Sequence, residues 1–358
     1  MSKIARRATW LELFYDLVFV IVIGKISHYL FLTPSLTGLL TFVALFFMVW
    51  WIWMGFSYYA DMYERQHWVF RGVIYLSMLG IIMLSIAVEH LATRNYVPVI
   101  WGYLALRLLL WITYSVTFLQ VKQDRPFLIF YVIGFLLGML LWLVGLVSQN
   151  LWFCLVGFIV EFCTPMLAYL FAKSTPQQVS HFDERLGLFL LIVLGETIAS
   201  VTFATDVSHW NLQNMAISVV SFFIAITMWR LYFTRIQEDV VYRAVNSSRI
   251  AMMRSFLFGN SHVLIAIAIT LFGISLEWVI VKAPQLNALH AYTTSLVSYL
   301  AVLSVNQWAA KTLQTSSVFI KRIACILFMM IVGSLVRNPM ILTFILAVSV
   351  GMLGVLEA

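Results

Sequence analysis

Charged residues are scarce in this sequence, and their scarcity excludes most soluble proteins. Only 10% of the 358 residues are Asp, Glu, Lys or Arg, whereas 63% are hydrophobic. Soluble domains are about 25% charged and about 45–50% apolar, so this chain lacks the polar surface that such a domain needs. The composition therefore predicts an integral membrane protein whose first partner is the lipid bilayer.

Cysteine is also scarce, with three residues in the whole chain. Cys154, Cys163 and Cys325 lie inside apolar runs without a C-x-x-C pair or a Cys/His cluster, so no disulfide framework, metal site or cofactor is expected. The net charge of +7 could suggest a nucleic-acid partner. The Lys and Arg residues lie in short connections beside apolar runs, however, where membrane orientation explains them better, and no nucleic acid is expected.

The common enzyme signatures are missing as well. The sequence contains no H-E-x-x-H, no P-loop and no G-x-S-x-G with a plausible partner. This favours a protein that is not an enzyme. An intramembrane enzyme that uses Glu196, His262 or the pair Glu12 and Asp16 stays open, because such a site needs only a few polar residues on different helices.

Long apolar runs are what the sequence has in abundance. A hydrocarbon core of roughly 30 Å requires about 20 helical residues, and continuously apolar runs of that length favour helices over alternating β-strands. The fold class predicted is an all-α polytopic membrane protein with about twelve transmembrane helices. The predicted spans are 10–30, 35–57, 71–91, 97–119, 126–147, 151–173, 186–204, 212–233, 256–281, 287–308, 318–336 and 339–356.

Charge alternates between successive connections. Stretches such as "KIARR", "DMYERQHWVFR" and "KTLQTSSVFIKR" are rich in Lys and Arg, whereas "TPSLTG", "SQN" and "TDVSHWNLQN" have neither. Basic connections stay in the cytoplasm, so the pattern predicts a multi-pass protein with both termini cytoplasmic.

The two halves share the order of their polar landmarks. An acid and then a glycine occur in the first span of each half, and an arginine and then a glutamate in the third. These landmarks are Glu12, Gly24, Arg71 and Glu89 in the first half and Glu184, Gly195, Arg254 and Glu277 in the second. Six spans per half give both copies one orientation, which predicts two parallel six-helix repeats, residues 1–175 and 176–358.

Two motifs resemble those of a known family. "TWLELFYDLVFVIVIGKISHYL" is similar to the W-x-E-L-F-x-D-L-x-F-V opening of the bacterial low temperature requirement A (LtrA) family, and "HFDERLGLFLLIVLGETIAS" to its later segment, including Glu184, Arg185 and Gly195. The resemblance extends over nearly the whole chain and implies a polytopic protein of the bacterial plasma (inner) membrane. The family is named for a cold-growth trait, so the resemblance implies no particular mechanism.

Glu12 and Asp16 stand four residues apart in the first predicted span and so share a helical face. Two like charges repel, so an arginine is expected nearby; the candidates are Arg6, Arg7, Arg71 and Arg185. A structural latch and a cation or proton site at a pore entrance both stay open. We predict that this face points inward, with Glu12 paired to arginine and Asp16 facing the pathway.

Glu196 lies about twelve residues after Glu184, roughly 18 Å deeper in its span, where a carboxylate facing lipid is costly. We therefore expect it to face the interior, either handling a substrate, ion or proton or making a buried structural hydrogen bond. Gly195 beside it is expected to permit close backbone approach.

Three further ionisable residues lie within predicted spans. Arg107 and Glu161 occur at matching depths in the fourth and sixth spans, and the preferred ion pair joins Arg107 to Glu161 or Glu196. His262 stands near the start of the ninth span, and a proton relay and a structural interhelical histidine are equally open.

The function predicted is movement of an ion or small solute, by a transporter or an ion channel, with Asp16 and Glu196 as binding or proton-coupling groups. Two alternatives stay open: an intramembrane enzyme acting on a lipid-type substrate, and a non-transporting scaffold or cold-adaptation protein of a stress response. The sequence also leaves a homo-oligomer open.

Overall fold

The computed structural model describes residues 9–63, 68–172, 182–204, 211–234, 249–281, 286–310 and 316–357, and these residues are almost entirely helical. Its twelve long helices are α1 (Trp10–Leu32), α2 (Leu36–Tyr63), α3 (Trp68–Val88), α4 (Val97–Gln120), α5 (Arg125–Ser148), α6 (Leu151–Phe171), α7 (Phe182–Ala204), α8 (Leu212–Phe233), α9 (Arg249–Val281), α10 (Leu286–Ala309), α11 (Ser316–Leu335) and α12 (Pro339–Leu356). Short 3-10 helices cover Glu89–Thr93 and Lys122–Asp124. The all-α class predicted from the sequence is confirmed.

Most helix ends fall within a few residues of the predicted spans, but two helices are longer. Helix α2 ends at Tyr63 instead of residue 57, and α9 begins at Arg249 instead of residue 256. The apolar run marks the part of a helix that can lie in hydrocarbon, whereas backbone hydrogen bonds continue the helix beyond that part. The sequence therefore underestimates helices that extend past the membrane.

Ten of the twelve helices are long and apolar enough to cross a membrane, as judged over the described residues. The two long helices outside this set are α1 and α7, which carry the acidic residues Glu12, Asp16, Glu184 and Glu196. These ten helices indicate a multi-pass membrane protein. That all twelve helices cross the membrane stays a prediction.

The outward faces of the helices are apolar, which is the reverse of a soluble protein. In α5, Leu136, Leu137 and Leu140 are exposed, whereas Tyr131 and Phe135 on the other side of the helix are buried. A large exposed apolar surface with polar groups inside is what lipid as a solvent requires.

The chain divides into two compact units. One comprises Met1–Tyr29 and Ala44–Phe182, and the other comprises Leu30–Val43 and Asp183–Ala358. In the first unit, α4 packs on α3 and α5, and α5 packs on α6; in the second, α10 packs on α9 and α11, and α12 packs on α8 and α11. The parallel repeat of residues 1–175 and 176–358 stays a prediction.

Helices α5 and α6 approach each other closely where α5 carries glycine. A Cβ atom added at Gly134 would lie 2.1 Å from Thr164 Oγ1, and one added at Gly138 would lie 2.3 Å from Glu161 Cγ. Gly134 and Gly138 form the small-x-x-x-small pattern that lets two membrane helices meet at backbone distance. The pattern therefore holds the Glu161 side chain against the backbone of α5.

Candidate functional site

An ion pair lies at the centre of the first unit. Arg107 Nε on α4 is 2.8 Å from Glu161 Oε2 on α6, and the two side chains are 1% and 0% exposed. Arg107 lies ten residues after the first residue of α4, and Glu161 lies ten residues from each end of α6, roughly 15 Å at 1.5 Å per residue. The expected pair is confirmed with Glu161 as the partner of Arg107.

Two aromatic residues complete the surroundings of this pair. The Tyr103 hydroxyl donates a hydrogen bond of 2.7 Å to Glu161 Oε2. Tyr103 precedes Arg107 by four residues on α4, so both side chains lie on the face that meets α6. The ring of Phe135 on α5 lies 4.3 Å from the guanidinium carbon of Arg107 and covers one of its faces.

Several polar atoms at this site have no hydrogen-bond partner among the described residues. They are Nη1 and Nη2 of Arg107, Oε1 of Glu161 and the hydroxyl of Tyr114, all of them buried. The contact between Arg107 Nε and Glu161 Oε2 is an ion pair, but its geometry is not that of a hydrogen bond. Roughly 90% or more of buried polar groups in proteins are hydrogen-bonded, so a cluster of unpartnered atoms marks a place where water, an ion or a ligand can bind.

Helix α6 is continuous from Leu151 to Phe171 but contains a proline near the carboxylate. Pro165 lies inside the helix, four residues after Glu161. Proline has no N–H, so the main-chain carbonyl of Glu161 loses the amide donor that a regular helix would supply. The site thus combines the carboxylate and the main-chain carbonyl of Glu161 on α6 with the guanidinium of Arg107 on α4.

Asp16 is fully buried in α1, and the indole Nε1 of Trp53 donates a hydrogen bond of 2.8 Å to its Oδ1. Its side chain therefore points into the protein and not into lipid. Whether it faces a transport pathway stays a prediction.

Thr9 and Glu12 form a capping box at the start of α1. The Thr9 amide donates to Glu12 Oε2 at 2.7 Å, and the Glu12 amide donates to Thr9 Oγ1 at 3.3 Å. The signal in the sequence is T-x-x-E in "TWLE", which our sequence interpretation did not use. Arg6 and Arg7, two of the arginines expected to pair with Glu12, lie outside the described residues.

The surroundings of Glu196 differ from the prediction. Glu196 is half-buried, and Gly195 is exposed with no described atom within 4 Å of an added Cβ. The close approach is instead at Gly273 on α9, where an added Cβ would lie 3.0 Å from Thr197 Cγ2. Successive helical residues are about 100° apart, so Gly195 and Thr197 lie on nearly opposite faces, and only Thr197 meets α9.

His262 is fully buried in the second unit. Its Nδ1 lies 2.7 Å from the Phe258 carbonyl and its Nε2 lies 2.9 Å from the Tyr232 hydroxyl. A carbonyl only accepts, so we assign the proton to Nδ1 and let Nε2 accept from Tyr232. This hydrogen bonding suits a structural histidine, and a role in proton relay stays a prediction.

The motif residues Glu184 and Arg185 have opposite environments, since Glu184 is exposed and Arg185 is buried. Another buried arginine, Arg322 on α11, was missed because "KTLQTSSVFIKR" looks like a basic connection. Its Nε and Nη2 each donate to a different Glu357 oxygen at 2.7 Å, and Nη2 also donates to Gln307 Oε1 at 2.7 Å. The only signal was its position inside an apolar run.

A cavity of about 400 Å³ lies in the second unit, between the α1–α2 turn, α9 and α10. Its lining is mostly apolar, with Ser275, Ser298, Asn287 and Trp278 among its polar side chains. Neither Glu196 nor any other carboxylate is in that lining. Among the described residues, no three His, Cys, Asp or Glu side chains are grouped so that they could hold a metal ion.

Apolar outer faces and ionisable side chains inside define this chain as a multi-pass helical membrane protein. The chain belongs to the bacterial LtrA family, because the family profile described as "Bacterial low temperature requirement A protein (LtrA)" matches residues 7–356. The resemblance seen in the two motifs is thereby confirmed.

One similar protein is an uncharacterized protein of Rhizobium meliloti (strain 1021). The two chains are 24% identical over 349 residues, which cover 87% of this chain and 80% of the relative. No solved structure matches the chain significantly.

Proposed function

We propose that this LtrA-family protein moves an ion or small solute across the bacterial plasma membrane, with the Arg107–Glu161 pair as the group that exchanges partners during transport. One observation carries this proposal. The pair is buried at mid-helix, and the atoms around it retain unused hydrogen-bonding capacity. A charge pair retained only for stability would be expected to satisfy those atoms, because each unsatisfied group is costly away from water.

The membrane setting favours transport over a passive scaffold. Ionisable residues within transmembrane helices are expensive, and they commonly mark ion and proton pathways. Pro165, four residues after Glu161, leaves the Glu161 carbonyl without its helical amide donor, and this unused acceptor supports the same interpretation.

Asp16 and Glu196 remain proposed binding or proton-coupling groups, and Asp16 has the stronger support because it is fully buried. Glu12 and His262 are weaker candidates, because each is already engaged in local hydrogen bonds. An enzyme acting on lipid would need reactive side chains at an apolar cleft. The cavity described above has no acid or histidine in its lining, so it lends that alternative no support.

Flux through proteoliposomes tests the proposal. Vesicles containing the full chain are assayed for H⁺, Na⁺, K⁺ and Cl⁻, and for acetate, phosphate and sulfate, against empty vesicles. We expect flux of at least one of these, and its loss in Glu161→Gln, which keeps the size of the side chain but removes its charge.

The matched control is Glu89→Gln, the same substitution in an exposed pair with Lys25 in the same unit. Exposed ion pairs contribute little to stability, so this variant should behave as the wild type. Wild-type protein that is folded but moves none of these solutes, or a Glu161→Gln variant with full flux, contradicts the proposal.

A further inference from the structure

We propose that Arg107 binds a small oxyanion, such as a carboxylate, phosphate or sulfate group, and that Glu161 takes up one proton when this anion binds. The binding site stands on its own geometry. Its use as a transport site rests on the proposed function, which would then be coupled movement of an oxyanion with a proton.

The donor groups point to an oxyanion. The ion pair with Glu161 is made through Nε, and the two Nη nitrogens of Arg107 have no hydrogen-bond acceptor among the described residues. A planar pair of N–H donors matches two oxygens of a carboxylate, phosphate or sulfate. Tyr114, seven residues further along the same face of α4, adds a hydroxyl that has no described partner and interacts electrostatically with Arg107.

Near this edge of the guanidinium, α2 has a glycine and therefore no side chain. The ring of Phe135 covers a face of Arg107, and Glu161 covers its Nε side. On α2, the residue opposite Nη1 is Gly55, where an added Cβ would lie only 3.3 Å from Nη1. Any larger residue at position 55 would first meet Leu110 Cδ2, 2.5 Å from an added Cβ, and would also bring a side chain against Nη1.

Charge balance connects anion binding to a proton. The Arg107–Glu161 pair is neutral, and an added anion would leave one uncompensated negative charge in a buried site, which is strongly unfavourable. A proton taken from the aqueous phase onto Glu161 restores neutrality. The atom available for it is Oε1, which has no described partner, while Oε2 keeps the hydrogen bond from Tyr103.

In the resulting state, Arg107 bears the positive charge, the oxyanion bears the negative charge, and Glu161 is a neutral acid. No covalent bond other than the O–H bond on Glu161 is formed. The release of the anion returns the proton, and the ion pair between Arg107 and Glu161 forms again. The site is thus predicted to bind anion and proton together and to bind neither strongly alone.

The test is calorimetric titration of the full chain in lipid nanodiscs with acetate, inorganic phosphate and sulfate, and with chloride for comparison. Titration in two buffers of different ionisation enthalpy gives the number of protons taken up per anion. We expect saturable binding of at least one oxyanion in preference to chloride, with uptake of one proton.

Variants separate the two groups. Glu161→Gln should bind the same oxyanion without proton uptake, and Arg107→Lys, which keeps the charge but lacks the planar pair of donors, should bind it at least tenfold more weakly, a loss of about 1.4 kcal/mol. Glu89→Gln should match the wild type. If Arg107→Lys does not fold, the proton count in Glu161→Gln still decides the proposal.

Absence of binding by all three oxyanions to folded protein overturns the inference and leaves water as the occupant of the site. Binding that is unchanged in Arg107→Lys, or wild-type binding without proton uptake, also overturns it. Oxyanion binding without flux in proteoliposomes would support the binding site but contradict transport. Flux of another ion without oxyanion binding would support transport but contradict the oxyanion site.

Discussion

Ionisable side chains in this protein have two different environments, and the difference determines what a substitution should do. Lys25 and Glu89 form an exposed pair, in which water screens both charges. Asp16, Arg107 and Glu161 are buried, where the loss of one partner leaves a charge away from water. Substitutions that keep the shape of a buried side chain therefore separate its charge from its packing.

Asp16→Asn tests the charge of the buried acid on α1. An asparagine oxygen can still accept the hydrogen bond from Trp53 Nε1, so we expect the variant to insert and to unfold at a temperature close to that of the wild type. If Asp16 faces the pathway, ion flux in proteoliposomes should fall to the level of empty vesicles.

The control is Glu184→Gln, which removes a charge from an exposed position. It should leave both flux and unfolding temperature unchanged. Full flux in Asp16→Asn would assign Asp16 to a structural latch.

At the scale of elements, the contact between α5 and α6 decides where Glu161 lies. This contact depends on the absence of a side chain at Gly138, because the carboxylate stem of Glu161 occupies that space. A single methyl group at the crossing should therefore affect both packing and the site.

Gly138→Ala should lower thermal stability by about 1–3 kcal/mol, the usual effect of overpacking, and should displace Glu161 from Arg107. Solute flux is expected to fall as well, because Glu161 no longer lies against Arg107. The measurements are thermal unfolding and flux in the same lipid.

Gly72→Ala on α3 is the matched control, since no described atom lies within 4 Å of an added Cβ there. Alanine favours a helix over glycine by about 0.5–1 kcal/mol, so this variant should be at least as stable as the wild type. Equal behaviour of the two variants would show that the glycine at 138 is not required.

Arg322 joins α11 to α10 through Gln307 and to the end of α12 through Glu357. Arg322→Ala would leave Glu357 without its two charged hydrogen bonds, so we expect a loss of about 3–5 kcal/mol, measured by thermal or denaturant unfolding.

The neighbouring Lys321 provides the comparison, because its side chain is partly exposed and donates a hydrogen bond to the Leu356 carbonyl. Lys321→Ala should change stability by less than about 0.5 kcal/mol. A similar loss in both variants would mean that the network around Arg322 does not stabilise the helix ends.

At the scale of the whole molecule, orientation follows from charge. The basic connections alternate with connections that lack Lys and Arg, and the described residues form an even number of long helices. From the positive-inside rule we predict that residue 1 and residue 358 lie in the cytoplasm.

Reporter fusions at Ala358 measure this orientation. A reporter active only in the cytoplasm should be active there, and one active only in the periplasm should be silent. A fusion after residue 149, in a connection without Lys or Arg, should give the opposite result. Periplasmic activity at residue 358 would contradict the predicted cytoplasmic C-terminus.

The sequence by itself determined the membrane class, the family and the existence of twelve helices. Each rests on local properties, namely the length of apolar runs and two contiguous motifs. It also predicted that Arg107 and Glu161 lie at matching depths in their spans, because depth follows from a fixed rise per residue.

The tertiary structure decided which acid meets Arg107, since Glu161 lies against it. It also decided that Gly195 is exposed, that Thr197 meets α9 and that Arg322 is buried. These outcomes depend on how each helix is rotated about its axis. Where apolar residues surround a helix on all sides, hydrophobic periodicity does not identify the inward face, and contacts between helices, such as the glycine crossing of α5 and α6, determine it.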